Sequence, residues 1–141
     1  MKKLLYIALV LFIAACGKKN DTVAPDAAAK IAGTYVVSRF AVSGTGANDF
    51  DFKLPQSGTL NGATVTYSAT VVVTKQTETS VSMVLIEKIT GQADENTEFG
   101  TADIKGSELY QGTTKVGTAD GTDLNIDASG QGIRVIVTAK K

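Results

Sequence analysis

The chain contains no histidine and no tryptophan, only two prolines and a single cysteine, Cys16, among its 141 residues. The absence of histidine removes the usual general base, the Ser-His-Asp arrangement and most zinc sites. A single cysteine cannot form a disulfide within the chain. The sequence Gly44-Thr45-Gly46 lacks the third glycine and the following helix of a dinucleotide-binding loop. We therefore expect no catalytic residues, no metal site and no cofactor.

An excess of charge is also absent, because 14 lysines and arginines balance 14 aspartates and glutamates. Proteins that bind nucleic acid usually carry a basic patch that neutralises phosphates. Without Lys2 and Lys3 the remaining residues would carry a small acidic excess. We expect no nucleic-acid partner.

A short uncharged apolar stretch is present near the N-terminus. Lys2 and Lys3 precede apolar residues 4–15, which are followed by Cys16 and Gly17. A basic start, a short apolar run and small residues at a cut site are typical of an export signal. The run is shorter than the about 20 residues of a spanning helix, which argues against a permanent membrane span.

The end of this segment, Ile13-Ala14-Ala15-Cys16, resembles the lipobox of bacterial lipoproteins. In that family the signal is cut before the cysteine, which carries a diacylglycerol with acyl chains such as palmitate. The resemblance implies a signal peptide over residues 1–15, lipidation of Cys16 and a flexible tether over residues 16–25. In the lipoproteins that this segment resembles, a residue other than aspartate after the cysteine fits sorting to the outer membrane. Gly17 has this position here, so we expect the protein on the periplasmic or surface face of the bacterial outer membrane. Ordinary signal cleavage with an unmodified Cys16 is the alternative.

The remainder, residues 26–141, has the composition of one all-β domain, since Thr, Val and Gly are abundant and helix formers are scarce. Residues 26–33 predict one or two helical turns, because Asp26 can cap the free amides and Gly33 can end the helix. Residues 48–57, with Phe50 and Phe52, are predicted to form a long loop or lid.

After Gly33 the apolar residues recur with a period of two, which indicates strands. Asn61-Gly62 and Asp120-Gly121 are typical hairpin turns. About eight short strands with turns between them favour an antiparallel meander that closes into a barrel, with the last strand pairing with the first. The predicted strands cover residues 34–42, 63–75, 79–89, 97–105, 107–111, 113–118, 122–128 and 133–139.

The start of the first strand, Gly33-Thr34-Tyr35, resembles the Gly-x-Trp motif of lipocalins, with Tyr35 at the tryptophan position. The whole domain is similar in outline to the small lipocalin-like domains of bacterial lipoproteins. That resemblance implies a barrel with Tyr35 closing one end and a basic side chain of the last strand, Arg134, packed on its ring. It also implies that the interior binds a small hydrophobic ligand.

Four residues are candidates for contacts with such a ligand: Tyr35, Arg39, Tyr67 and Tyr110. If Tyr35 points inward, simple alternation places Arg39 inside or at the mouth of the barrel. There it would need a carboxylate or an anionic ligand, because a buried unpaired guanidinium is costly. The favoured alternative places Arg39 outside and Phe40 inside, since buried arginine is rare.

Asp123, Asn125 and Asp127 have the spacing of calcium ligands in an EF-hand loop. The following positions do not fit, because Ala128 and Arg134 stand where glycine and glutamate are needed. We therefore interpret the three polar residues as the solvated face of a strand.

These observations predict a lipid-anchored, non-catalytic lipoprotein that binds a small hydrophobic ligand in its barrel. The alternative is an accessory or structural subunit that docks on a membrane-protein partner through an apolar outer face. With Tyr35 inward, alternation turns apolar side chains outward on the first, second, third and last strands. They are Val36, Phe40, Val42, Val72, Val84, Ile86 and Ile136.

Replacing Cys16 by serine tests the lipid anchor. We expect Cys16→Ser to move the protein from the membrane fraction to the soluble fraction, or to leave the signal uncut, because serine carries no thiol for the diacylglycerol. Cell fractionation combined with the mass of the N-terminal peptide measures both outcomes. A correctly cut Cys16→Ser protein that still partitions with membranes would contradict lipid anchoring.

Overall fold

The computed structural model describes residues 26–141, so the predicted signal peptide, lipidated cysteine and tether lie outside the described residues. The described chain forms one short helix, α1 (Ala27–Ile31), a 3-10 turn (Gly46–Asn48) and ten strands. The strands are β1 (Gly33–Ser43), β2 (Phe50–Lys53), β3 (Gln56–Leu60), β4 (Ala63–Lys75), β5 (Ser80–Ile89), β6 (Glu95–Lys105), β7 (Glu108–Gln111), β8 (Thr114–Ala119), β9 (Asp123–Gly130) and β10 (Ile133–Lys140).

Eight antiparallel strands close into a barrel, which confirms the predicted fold class. The predicted pairing of the last strand with the first is also confirmed, since β10 pairs with β1. On its other side β1 pairs with β4, and β4 to β10 follow one another in chain order. The predicted Asn61-Gly62 hairpin joins β3 to β4, and both turn residues have the positive φ that such a turn requires.

The barrel is wider at one end, because β1 changes partner halfway along its length. Its first half, residues 33–36, pairs with β4, and its second half, residues 39–42, pairs with β2. β3 pairs with the start of β4, and no ladder joins β2 to β3 within residues 26–141. The two short strands therefore fill the space where β1 and β4 diverge. We call the unpaired line between β2 and β3 the seam.

The prediction of a loop or lid over residues 48–57 was wrong, because residues 50–53 form β2 and residues 56–57 begin β3. In β2, Phe50 and Phe52 alternate with Asp51 and Lys53. Four residues are too few for this alternation to distinguish a strand from a loop.

The predicted helical turns are confirmed as α1, which covers the narrow end of the barrel. The Asp26 carboxylate caps the helix by accepting a hydrogen bond from the amide of Ala29 at 2.6 Å. Ala28 and Ile31 face the barrel and are buried. Directly beneath them the buried Tyr35 hydroxyl donates to the carbonyl oxygen of Ile31 at 2.7 Å. This bond ties the helix to the first strand.

A lysine, and not the predicted Arg134, packs on the ring of Tyr35. The Nζ atom of Lys141 lies 5.2 Å from the centre of the ring and donates to the carbonyl oxygen of Ala32 at 2.8 Å. Arg134 lies near the opposite end and on the outer face, where it binds Asp127. The prediction failed because Val137 and Ala139 face inward, which turns Arg134 outward.

A register shift in β1 reverses which residues face the core. Val37 pairs with Ala139 and Arg39 with Thr138, so Ser38 is an extra residue and forms a bulge. Phe40 is consequently buried, and Val42 packs against the core. The predicted outward orientation of these two residues was wrong, since simple alternation assumes a strand without a bulge.

The Tyr35 hydroxyl gives a test of how α1 is held. We expect Tyr35→Phe to lower the free energy of unfolding by about 1–3 kcal/mol, because the Ile31 carbonyl loses its donor in a buried position. Urea unfolding of the mature chain carrying Cys16→Ser measures the loss. Tyr110→Phe is the matched control, since the Tyr110 hydroxyl bonds Glu108 on the outer face. Equal losses in the two variants would contradict a special role for the Tyr35 bond.

Candidate functional site

A cavity of about 250 Å³ lies inside the barrel, toward the end opposite α1. Its lining is mostly apolar and comes from six consecutive strands, β5 to β10. The lining residues are Met83, Glu98, Phe99, Gln111, Val116, Ile126, Ala128 and Val135.

The cavity exists because the strands around it separate and because Ala128 contributes only a methyl group to its lining. The β6–β7 ladder covers only residues 103–105 of β6, and beyond it the Gln111 side chain crosses to donate to the carbonyl oxygen of Phe99 at 2.5 Å. β6 also has a register shift opposite Met83 and Val84, which makes Phe99 the extra residue of a bulge. Ala128, on β9, leaves space that a larger side chain would fill. The wide end is therefore incompletely packed.

Four aromatic rings form a row along the opposite wall, which we call the aromatic row. Phe40 packs edge-on against Phe50 with 5.1 Å between ring centres, and Phe50 stacks on Phe52 at 4.9 Å. Phe52 in turn meets the edge of Tyr67 at 5.9 Å. The row runs from β1 through β2 to β4. It therefore crosses the seam near the point where β1 and β4 diverge. It supplies an apolar and partly exposed surface at the mouth of the barrel.

Tyr67 places a hydroxyl group at the end of the aromatic row. Its hydroxyl donates to Oε1 of Glu87 at 2.5 Å. Glu87 is opposite Ala69 in the β4–β5 ladder and opposite Glu95 in the β5–β6 ladder, and the buried Ala69 shows that this row faces inward. Burial, together with the bond to Glu87, raises the pKa of Tyr67 far above its usual value. The phenol therefore remains a hydrogen-bond donor at all physiological pH values.

The four predicted ligand contacts do not come together. Tyr67 lies at the wide end, whereas Tyr35 is buried beneath α1 at the narrow end. Arg39 lies on the outer face, where two bonds of 2.9 and 2.7 Å join it to Asp51 and lower the pKa of that carboxyl. The favoured alternative, with Arg39 outside and Phe40 inside, is thus confirmed. Tyr110 also lies outside, with its hydroxyl 2.7 Å from Glu108.

Sequence reasoning missed most residues that shape the wide end. The spacing of Phe50 and Phe52 was a usable signal, since it places both rings on one face of an extended segment. Phe99 and Glu87 gave no comparable signal. The inward position of Phe99 depends on a bulge, and that of Glu87 on the register between strands.

The interpretation of Asp123, Asn125 and Asp127 as a strand face is confirmed, because their buried neighbours Leu124 and Ile126 point inward. Asp123 lies 3.3 Å from Nζ of Lys140, and the Asp127 carboxylate accepts two bonds from Arg134. Within residues 26–141, acidic side chains nowhere gather in a group of three or more that could hold a metal ion. Over the same residues, none of the helices has the length and apolar character needed to cross a bilayer.

Comparison of the chain with protein-family models, with curated proteins and with solved structures finds no match.

The raised pKa of Tyr67 predicts a loss of stability in alkali. Unfolding releases a phenol of ordinary pKa near 10, whereas the folded phenol stays protonated, so the free energy of unfolding should fall as the pH rises above about 10. We expect Tyr67→Phe to make this decline less steep in urea unfolding series between neutral pH and pH 11. Phe52→Leu disturbs the same aromatic row without removing a titratable group, and should leave the slope unchanged. A slope that is equal in wild type and Tyr67→Phe would contradict the assignment.

Proposed function

We propose that this chain is a lipid-anchored, non-catalytic bacterial lipoprotein with a lipocalin-like domain, whose barrel binds a small hydrophobic ligand through its wide end. The observation that carries the proposal is the apolar cavity of about 250 Å³ inside the closed barrel. Small-molecule sites are typically concave, mostly apolar and about 300–1,000 Å³ in volume. The cavity is close to the lower limit, so it suits a small ligand or one end of a longer ligand.

The polar groups around the cavity are few, and this defines the ligand chemistry further. Gln111 and Glu98 contribute to a lining that is otherwise aliphatic and aromatic. Tyr67 and Glu87 are already bonded to each other at the mouth. A ligand that brings few hydrogen-bonding groups therefore leaves few polar groups unpaired on binding. The aromatic row offers a second apolar surface beside the mouth.

Anchoring to the outer membrane is the second part of the proposal. It is supported by the Ile13-Ala14-Ala15-Cys16 sequence after a basic and apolar segment, and by Gly17 at the following position. Residues 16–25 would join the lipid on Cys16 to the helix that covers the narrow end. The wide end, where the cavity opens, lies at the other end of the barrel from this attachment.

Filling the cavity tests the binding function. We expect Ala128→Phe to weaken binding of the apolar fluorescent probe N-phenyl-1-naphthylamine by at least about tenfold, which is about 1.4 kcal/mol. The new ring would occupy the space that the probe needs. Fluorescence titration of the mature chain with Cys16→Ser measures the dissociation constant, and native mass spectrometry of the same protein detects a co-purifying ligand.

Ser129→Phe is the matched control, because Ser129 is the next residue of β9, is exposed and is opposite Arg134 on the outer face. We expect it to leave the dissociation constant unchanged. Equal binding by both variants and the wild type would show that the probe binds elsewhere and would remove the support for an internal ligand site.

A further inference from the structure

The outer face of β1, β4 and β5 carries a contiguous group of aliphatic side chains, which we call the aliphatic patch. Val72 is opposite Val84 in the β4–β5 ladder, and in the adjacent row Thr70 lies between Val36 and Ile86. Val36 is 57% exposed, and the other three valine and isoleucine side chains are partly exposed. The patch consists of Val36, Val72, Val84 and Ile86.

The N-terminal segment leaves the barrel beside this patch. The Asp26 carboxylate forms an ion pair with Nζ of Lys75, the last residue of β4. The amide of Ala28 donates to the carbonyl oxygen of Glu78, in the turn between β4 and β5, at 3.2 Å. β4 and β5 carry three of the four patch residues. The point where the chain continues toward Cys16 is thus fixed at the narrow end of the strands that form the patch.

The distance from this point to the lipid is short. Ten residue-to-residue steps separate Cys16 from Asp26, and they span at most about 33–36 Å when fully extended and about 16–19 Å on average as a flexible chain. A barrel held so closely has its β4–β5 side near the bilayer surface. At such a distance the effective concentration of lipid is high, so even a small apolar contact is populated.

We propose that the aliphatic patch rests against the lipid bilayer that holds the Cys16 anchor, so that the protein lies on its β1–β4–β5 side. The proposal rests on the lipid anchoring put forward above. The charged neighbours fit an interfacial position, since Lys140 is beside Val36 in the β1–β10 ladder and Lys88 follows Ile86 on the same face. Lysines at the edge of an apolar contact keep their ammonium groups in the headgroup layer.

The position of the wide end gives this orientation a functional meaning. With the β1–β4–β5 side on the bilayer, the seam between β2 and β3 lies on the membrane side of the barrel, because β2 pairs with β1 and β3 with β4. A hydrophobic ligand would then exchange between the bilayer and the cavity near the aromatic row without a long passage through water.

Carbene footprinting of the full lipidated protein in phosphatidylcholine vesicles tests the orientation, with the mature Cys16→Ser protein in solution as the reference. We expect labelling of Val36 and Ile86 to fall by at least about twofold in vesicles, because contact with headgroups covers the exposed side of the patch. Tyr110 is the internal control, since it is partly exposed on the outer face of β7, on the opposite side of the barrel from the patch. Its labelling should be the same in both states.

Two further variants make the test specific. Val36→Glu should restore the labelling of Ile86 in vesicles, because a carboxylate opposes contact with the apolar layer. Asn125→Glu introduces the same charge at an exposed residue of β9, on the opposite side of the barrel, and should leave Ile86 protected. Both Val36 and Asn125 are exposed, so neither change removes packing from the core.

Each remaining outcome overturns the proposal in a distinguishable way. Protection of the patch in soluble Cys16→Ser protein as well would assign it to a second copy of the chain. Equal labelling in the two states would show that the patch does not contact the bilayer. The patch would then be available to a protein partner, which pure vesicles do not contain. The mass of the N-terminal peptide reports separately on the diacylglycerol, so an unmodified Cys16 would overturn the anchor and the orientation, while ligand binding in the cavity would be unaffected.

Discussion

The change of partner halfway along β1 is the constraint on which the rest of the structure depends. Over its first half β1 pairs with β4 and closes the barrel, and over its second half it pairs with β2 instead. Closure brings the inward side chains of eight strands together into a tightly packed core, with Tyr35, Leu85, Leu109 and Leu124 fully buried. Divergence has the opposite effect at the other end, where additional strands enter the wall and a cavity remains. One strand thus determines both the stable end and the open end.

Simple alternation and local capping patterns were enough to predict several elements of the fold. Residues 63–75 alternate over more than four repeats, and both the strand and its inward face were confirmed. Asp26, with its short side chain before three alanines, predicted the helix cap. Pairing of the first and last strands was expected from the need of a sheet to bury its edges. These features depend on local patterns or on a general property of sheets, which is why one sequence is enough to predict them.

The predictions that were wrong concern features that depend on single residues inserted into a regular pattern. The bulges at Ser38 and Phe99 each shift the inward face by one residue. The first has no distinctive composition, and the second is marked only by Gly100, a single strand glycine with positive φ. Lys141 comes directly after β10, and it lies over Tyr35 only because the register of β10 with β1 carries the C-terminus to that position. The residues of the candidate site were predicted least well, because the site lies where bulges and short strands meet. Of the four predicted contacts, only Tyr67 lies there.

The seam also gives the native state an uneven resistance to opening. β2 and β3 each have one neighbouring strand, whereas every strand at the narrow end has two. Detaching them breaks few backbone hydrogen bonds and leaves the ring of eight strands intact, so the free energy of this local opening lies far below that of global unfolding. Amide protons of β2 and β3 should therefore exchange with solvent through brief local excursions, while those of β1 beside α1 exchange only when the whole domain unfolds. The domain thus combines a rigid narrow end with two strands, β2 and β3, that open locally.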